Sequence, residues 1–177
     1  MERENFISKD TANVNVKRNN KYQKVVNLLV YGHIEHTQKK KENHIFANIK
    51  DLVIFAAMVG KKFNIKESLE KENTGITIAT FAGSGNTKDS RPDQHNIIFL
   101  FGLSEFKDMK YLRDEHIHEC VKIFEEYSNG GLSLIENWLI ESKWKPLILL
   151  DRIQDVIAET KTRKGLEIKS NPFGSSL

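Results

Sequence analysis

One stretch decides the fold of this chain: Lys122-Ile123-Phe124-Glu125-Glu126-Tyr127-Ser128-Asn129-Gly130-Gly131-Leu132. Its first half has the composition of a helix. The following Asn-Gly-Gly sequence is typical of a helix end, because asparagine and glycine adopt a positive φ at little cost. Apolar residues resume directly after the glycines. The pattern therefore predicts two helices joined by a tight corner at residues 129–131, within a small helical protein.

Composition indicates a globular protein without a strong charge. The chain has 177 residues, of which 39% are apolar and 29% charged, so it is long enough for one domain with tails. The formal net charge of +3 is too small to argue for nucleic acid by itself. A single cysteine, Cys120, allows no internal disulfide. There is no apolar run of signal-peptide or membrane-spanning length, so we expect a cytoplasmic protein without membrane contact.

The first half of the chain predicts an arm followed by two helices. Residues 1–21 are polar and basic, and we expect a flexible basic arm. Residues 22–34 predict a helix with a buried apolar face, formed by Val25, Val26, Leu28, Leu29 and Val30. Valine and isoleucine at several of these positions would also suit a short strand. Residues 48–63 predict a second helix, with an apolar stripe of 3.6-residue period at Leu52, Phe55, Ala56, Val59 and Phe63.

The second half predicts one short strand and more helices. Residues 76–81 alternate as a strand does, and the dense apolar run from Asn96 favours a buried helix over a central strand. Pro146 suits the first turn of a last helix. We expect the core stripe of that helix at Leu147, Leu150, Ile153 and Ile157. The predicted fold class is mainly α with a short β element in its middle. A single helical domain of residues 22–159 lies between the arm and a flexible tail, 160–177.

Two loop regions raise the question of bound cofactors and catalysis. Gly83-Ser84-Gly85 could hold an anion, but the frame of a nucleotide-binding loop is missing, so we expect no cofactor. Around Pro92 lie Asp89, Arg91, Asp93 and His95, which could organise acid–base chemistry. Local capping of turns and of the next helix is the simpler interpretation, and no catalytic residue is predicted.

The densest titratable cluster is Asp114-Glu115-His116-Ile117-His118-Glu119-Cys120. On a helix, His116 and Cys120 share a face and could ligate zinc. A structural zinc site needs four ligands, however, and the chain offers no second compact pair, so we expect no metal and a buried Cys120 thiol. A metal-dependent hydrolase centred on His116 and Asp93 stays open as a minority alternative.

Two groups of residues are candidates for contact with other macromolecules. Trp144, between Lys143 and Lys145, predicts a protein-docking site, since exposed tryptophan anchors interfaces; local packing under Pro146 is the alternative. The candidate nucleic-acid contacts are basic residues of the arm and of the connection after the first helix: Lys17, Arg18, Lys39, Lys40 and Lys41. A solvated tail and loop would explain the same residues.

Three blocks in order, residues 51–60, 96–101 and 121–132, resemble the DNA phosphorothioation-associated protein 4 family, also called Dnd system-associated protein 4. The resemblance spans about residues 48–142, and its most specific element is Phe-Glu-Glu-Tyr-x-Asn-Gly-Gly-Leu. It implies a bacterial gene neighbourhood in which sulfur modification of the DNA backbone is coupled to restriction of unmodified DNA. It brings no catalytic residue.

With this resemblance, we interpret the chain as a non-enzymatic accessory or adaptor subunit of an anti-phage system. It would dock a larger nuclease or ATPase subunit and meet DNA through that complex. Two alternatives remain open: a DNA-binding module, and a small subunit of another multi-gene ATPase–nuclease defence complex.

Overall fold

The computed structural model describes residues 8–32, 44–82 and 94–169, with side chains through residue 160 except at residue 9. These residues form six α-helices and one antiparallel pair of strands, which confirms the mainly α prediction. The helices are α1 (Lys9–Asn13), α2 (Gln23–Tyr31), α3 (Ile49–Phe63), α4 (Asn96–Phe106), α5 (Ile117–Glu141) and α6 (Ile148–Lys169). The strands are β1 (Asn15–Asn19) and β2 (Asn73–Thr77).

The chain divides into two compact units, Met1–Glu136 and Asn137–Leu177. The first unit contains the sheet, helices α1 to α4 and most of α5. The second contains the last residues of α5 and the whole of α6. In the first unit, helices α2, α3 and α4 confirm the predicted helices. All five residues expected on the apolar face of α2 are buried, and Asn48 begins α3 by accepting the Asp51 amide at 3.1 Å.

The region predicted as an arm is structured from residue 8 onward. Strand β1 pairs with β2 in antiparallel register, with Val16 opposite Ile76 and Arg18 opposite Thr74. Val16 is 2% exposed, so β1 belongs to the folded unit. The sequence of β1 has few apolar residues, and its main chain is bound to α5 by hydrogen bonds from the amides of Lys17 and Asn19. The predicted strand at residues 76–81 was also placed too late, since a 3-10 helix occupies Ile78–Thr80.

Helix α5 is continuous through Asn129-Gly130-Gly131, so the predicted corner is wrong. The glycines do not form a turn; they allow neighbouring segments to pack closely against the helix. A Cβ atom on Gly131 would overlap the carbonyl oxygen of Ala56 in α3, and one on Gly60 would overlap the carbonyl oxygen of Tyr127 in α5. The two helices therefore meet backbone to backbone, and only glycine leaves room for that approach.

Residues next to these glycines bind neighbouring segments to α5. The Asn129 side chain is fully buried, and its Oδ1 accepts the amide of Asn19 in β1 at 2.9 Å. The Ser128 hydroxyl donates to the carbonyl oxygen of Val53 in α3 at 3.3 Å. Gly130 faces the carbonyl group of Ile65, and a Cβ atom there would overlap it. This short segment of α5 therefore contacts β1, α3 and the chain that follows α3.

The core of the first unit is aromatic where α4 and α5 meet. The Phe124 ring packs edge-on against Phe101, with centroids 5.2 Å apart, and against Phe81 at 6.2 Å. Gly102 of α4 lies against Cys120 of α5, and a Cβ atom on Gly102 would overlap the sulfur. A second glycine contact thus brings α4 onto α5.

Helix α6 differs from its prediction in length. It continues to Lys169, so the boundary expected near Thr160 lies too early. Gly165 does not end the helix, because a single glycine in a helix interior costs only about 1 kcal/mol.

We predict that Gly131→Ala destabilises the protein by about 2 kcal/mol. Overpacking against a backbone atom costs up to about 3 kcal/mol, whereas the higher helix propensity of alanine returns about 1 kcal/mol. Urea unfolding followed by circular dichroism measures the change, with Lys122→Ala at an exposed position of α5 as the control. A variant more stable than the wild type would show that Gly131 is not a packing contact.

Candidate protein-docking surfaces

The predicted basic contacts lie in different environments. Lys17 is exposed on β1, but Arg18 is only 4% exposed, and its Nη2 donates to the Gln23 side chain at 2.6 Å. Burial lowers the pKa of Arg18 below its ordinary value. Arg18 therefore does not contribute to an exposed basic surface in this conformation, which corrects the interpretation of residues 17 and 18 as part of a solvated arm. Residues 39–41 lie outside the described residues.

Trp144 lies in the turn between α5 and α6, within the second unit. It is half-buried, and its amide donates to the Leu139 carbonyl oxygen at 2.6 Å. Lys143 and Trp144 both have positive φ, at 55° and 60°, a conformation that non-glycine residues rarely adopt. Lys143 and Lys145 are exposed. The turn thus contains two exposed lysines, one before and one after the half-buried tryptophan in the sequence.

The candidate zinc ligands do not come together. Cys120 is fully buried, and its thiol donates to the Tyr111 carbonyl oxygen at 3.3 Å. Burial raises the pKa of this thiol to about 11. His116 lies 3.3 Å from the Glu119 carboxylate instead. The predicted buried thiol is therefore confirmed. Across residues 8–32, 44–82 and 94–160, no three His, Cys, Asp or Glu side chains are placed to hold a metal ion.

The other candidate chemistry falls largely outside the described residues. This applies to the Gly83–Gly85 loop and to Asp89, Arg91 and Asp93. His95, directly before α4, is described and is 3% exposed.

An ionic cluster joins α3, α4 and α5. One Glu105 oxygen lies 2.5 Å from the Lys66 ammonium, and the other lies 3.2 Å from Lys61. The Tyr127 hydroxyl donates to the same carboxylate at 2.9 Å. These hydrogen bonds, that of Lys66 first, lower the pKa of Glu105 to about 2. The Glu105 carboxyl therefore stays ionised at every physiological pH.

Beside this cluster, an open groove of about 440 Å³ runs between α3 and α4. Its lining is mainly apolar, and two of the lining side chains, Met58 and Leu100, are each 55% exposed. Seven residues line it: Met58, Lys61, Lys62, Ile97, Leu100, Phe101 and Ser104. Sequence reasoning missed this groove, although α4 carries a signal. A helix that is apolar on every side leaves an apolar surface exposed when its neighbours cover only part of it.

A second exposed apolar surface lies on α6. Of its predicted core stripe, Leu147, Leu150 and Ile157 are 68%, 52% and 48% exposed. Ile153 is half-buried, and Leu149, outside the predicted stripe, is buried. The prediction of a buried stripe is therefore wrong. Apolar residues lie around much of the circumference of α6, and only some of them are on its buried side. We call the exposed part, Leu147, Leu150 and Ile157, the α6 face.

One buried acid has unusual electrostatics. Glu125 of α5 is 9% exposed, and its Oε1 accepts the Lys17 amide of β1 at 2.6 Å. Burial raises the pKa of this carboxyl to about 7, and the hydrogen bond from Lys17 opposes that rise. Glu125 thus attaches β1 to α5 and changes charge near neutral pH.

Fold and surfaces together define a small, mainly α protein with two exposed apolar surfaces among its described residues. No helix among these residues is long and apolar enough to cross a bilayer. The chain belongs to the family of DNA sulphur modification system-associated protein 4, whose model matches residues 15–170. The match begins at β1 and extends beyond the resemblance seen at residues 48–142. It associates the protein with a DNA sulphur modification system. No curated protein and no solved structure matches the chain significantly.

We predict that Glu125→Gln is more stable than the wild type at pH 8 and about equally stable at pH 4.5. The folded pKa is raised from 4.5 to about 7, so burial favours the neutral acid. In the wild type, the stabilisation from the neutral Glu125 carboxyl is therefore complete below pH 4.5 and is lost as the pH rises through 7. The difference at pH 8 reaches up to about 3 kcal/mol.

Denaturant unfolding at both pH values measures this difference. Exposed Glu115→Gln serves as the matched control and should leave the profile unchanged. A wild type and Glu125→Gln variant that keep the same stability difference from pH 4.5 to 8 would contradict the burial argument.

Proposed function

We propose that the protein is a non-enzymatic accessory subunit of a DNA sulphur modification system in antiviral defence. It acts in the cytoplasm by docking a larger protein subunit, of the nuclease or ATPase class. The observation that carries the proposal is the α6 face, together with the membership of a family named for association with such a system.

The α6 face has the spacing of a helix-docking surface. Leu150 and Ile157 are seven residues apart, so they lie within about 20° of each other around the helix axis. Leu147, which directly precedes α6, is exposed as well. Single exposed apolar side chains are normal in soluble proteins, but an aligned row of them marks an interaction surface. Burying one leucine or isoleucine contributes about 1.5–3 kcal/mol, so this row can supply much of a docking energy.

Charged residues near this face indicate what the partner surface looks like. Lys143 and Lys145 lie in the turn that precedes α6, and both are exposed. A partner with an apolar groove and acidic residues at its rim would complement the α6 face and these lysines. A standard interface buries about 800 Å² on each partner, which requires the turn around Trp144 as well as the helix.

We expect contact with DNA to be made by the larger subunit. Arg18 is buried against Gln23, and the other described basic residue of the predicted contact, Lys17, is a single exposed charge on β1. A single ammonium group supplies little of the salt-dependent affinity that DNA binding requires.

We predict that the double variant Leu150→Ser/Ile157→Ser weakens binding to the partner subunit at least tenfold. Loss of two buried apolar side chains removes more than the 1.4 kcal/mol that a tenfold change represents. Each other protein of the system is purified and tested by calorimetric titration against the full-length chain. The control is Asp155→Ser/Glu159→Ser, at exposed positions on the other side of α6.

Unchanged affinity in the apolar variant would remove the α6 face from the interface. Absence of binding to every protein of the system, singly and combined, would contradict the docking function itself.

A further inference from the structure

We propose that the groove between α3 and α4 is a second docking site, which binds an amphipathic helix from a partner protein with acidic residues beside its apolar stripe. This inference rests on the proposed docking function and adds to it the chemistry of one bound segment. The groove lies in the first unit, Met1–Glu136, whereas the α6 face belongs to the second.

The spacing of the lining residues favours a helix as the occupant. From α4 come residues at i, i+3, i+4 and i+7: Ile97, Leu100, Phe101 and Ser104. From α3 come residues at i, i+3 and i+4: Met58, Lys61 and Lys62. Such rows form the two walls between which a ridge of side chains from a third helix packs. An amphipathic helix in a groove between helices is a common mode of peptide recognition.

The apolar part of the groove is exposed and adaptable. Met58 and Leu100 leave more than half of their surface uncovered, while Phe101 below them is 7% exposed and fixed in the core. A methionine side chain fills irregular gaps because it is unbranched and polarisable. The groove therefore has a rigid floor and flexible walls, which suits leucine-sized side chains from a partner.

The charge at the rim selects an acidic partner. The seven lining residues of the groove include Lys61 and Lys62 and no acidic residue. The acids nearby, Glu105 and Glu126, face Lys66 outside the lining, and Glu105 also pairs with Lys61. Exposed Lys62 lies on the same rim. Both Lys61 and Lys66 also lie near the face of the Tyr127 ring, at 4.6 and 4.8 Å, which holds their ammonium groups in place. Carboxylates beside the apolar stripe of a bound helix would balance this charge.

The same groove is less suited to binding a small polar molecule. Sites for such ligands need several polar groups that converge on the ligand. The Ser104 hydroxyl already donates to the Phe101 carbonyl oxygen at 2.9 Å, and the Glu105 carboxylate is held by its lysines and Tyr127. Apart from Lys61 and Lys62, the remaining lining is apolar.

The methionines of the chain provide a direct test. Met58 lies in the groove, and Met109, which is 68% exposed in the 3-10 helix Met109–Leu112, lies outside it. Full-length protein labelled with ¹³C at the methionine methyl groups is titrated with each other purified protein of the system. The proposal expects the Met58 resonance to move and that of Met109 to stay.

Variants then test the apolar walls and the charge separately. Leu100→Ser should weaken binding at least tenfold, whereas Leu112→Ser, at an exposed position away from the groove, should not change it. Lys62→Glu should weaken binding at least threefold at low salt, and raising the salt should shrink that difference. Thermal unfolding of each variant checks that the fold is intact.

The outcomes separate this inference from the proposed function. A complex that forms while the Met58 resonance stays in place overturns the groove and leaves the docking function standing. A complex that moves Met58 but binds more tightly with Lys62→Glu overturns the acidic character of the helix. No complex with any protein of the system overturns both.

Discussion

The structure depends on one constraint, the backbone contact between α3 and α5. Gly131 of α5 lies against the Ala56 carbonyl group, and Gly60 of α3 lies against that of Tyr127, so a methyl group at either glycine has no space. This contact fixes how α3 lies on α5. Through Glu105, which binds Lys61 of α3 and Tyr127 of α5, it also fixes α4 beside them. The groove between α3 and α4 follows from the same arrangement.

The residues that reveal the family are therefore mostly residues of the core. In the specific stretch from Phe124 to Leu132, the phenylalanine packs in the aromatic cluster, Asn129 holds β1, and the two glycines admit neighbouring backbone. The residues of this stretch that carry the family resemblance therefore serve packing within the fold. The exposed apolar surfaces lie elsewhere, on α6 and between α3 and α4. We propose that the protein acts through those surfaces.

Local patterns predicted the helices, but contacts between distant segments could not be predicted from them. The periodic stripes of α2 and α3 identified both helices, since amphipathic period is a local property. The sequence Asn-Gly-Gly looks the same locally whether it ends a helix or leaves room for the backbone of a neighbouring helix. Here the close approach of the Ala56 carbonyl group shows that the second case applies. Strand β1 is weakly apolar, because its amides bind side chains of α5 more than a hundred residues away. The groove could not be predicted because it forms only where two helices, α3 and α4, pack side by side. The α6 stripe was misassigned because an apolar period alone does not tell which side of a helix is covered by its neighbours.

The most direct test of this account is amide hydrogen exchange along α5, read residue by residue by NMR. If the helix is continuous and packed on α3, the amides of Ser128, Gly130, Gly131 and Leu132 should exchange only through global unfolding, at rates like those of Phe124 and Ile135. Fast exchange confined to residues 129–131, with slow exchange on both sides, would contradict it. That result would restore the corner and remove the contact on which the packing of α3, α4 and β1 depends.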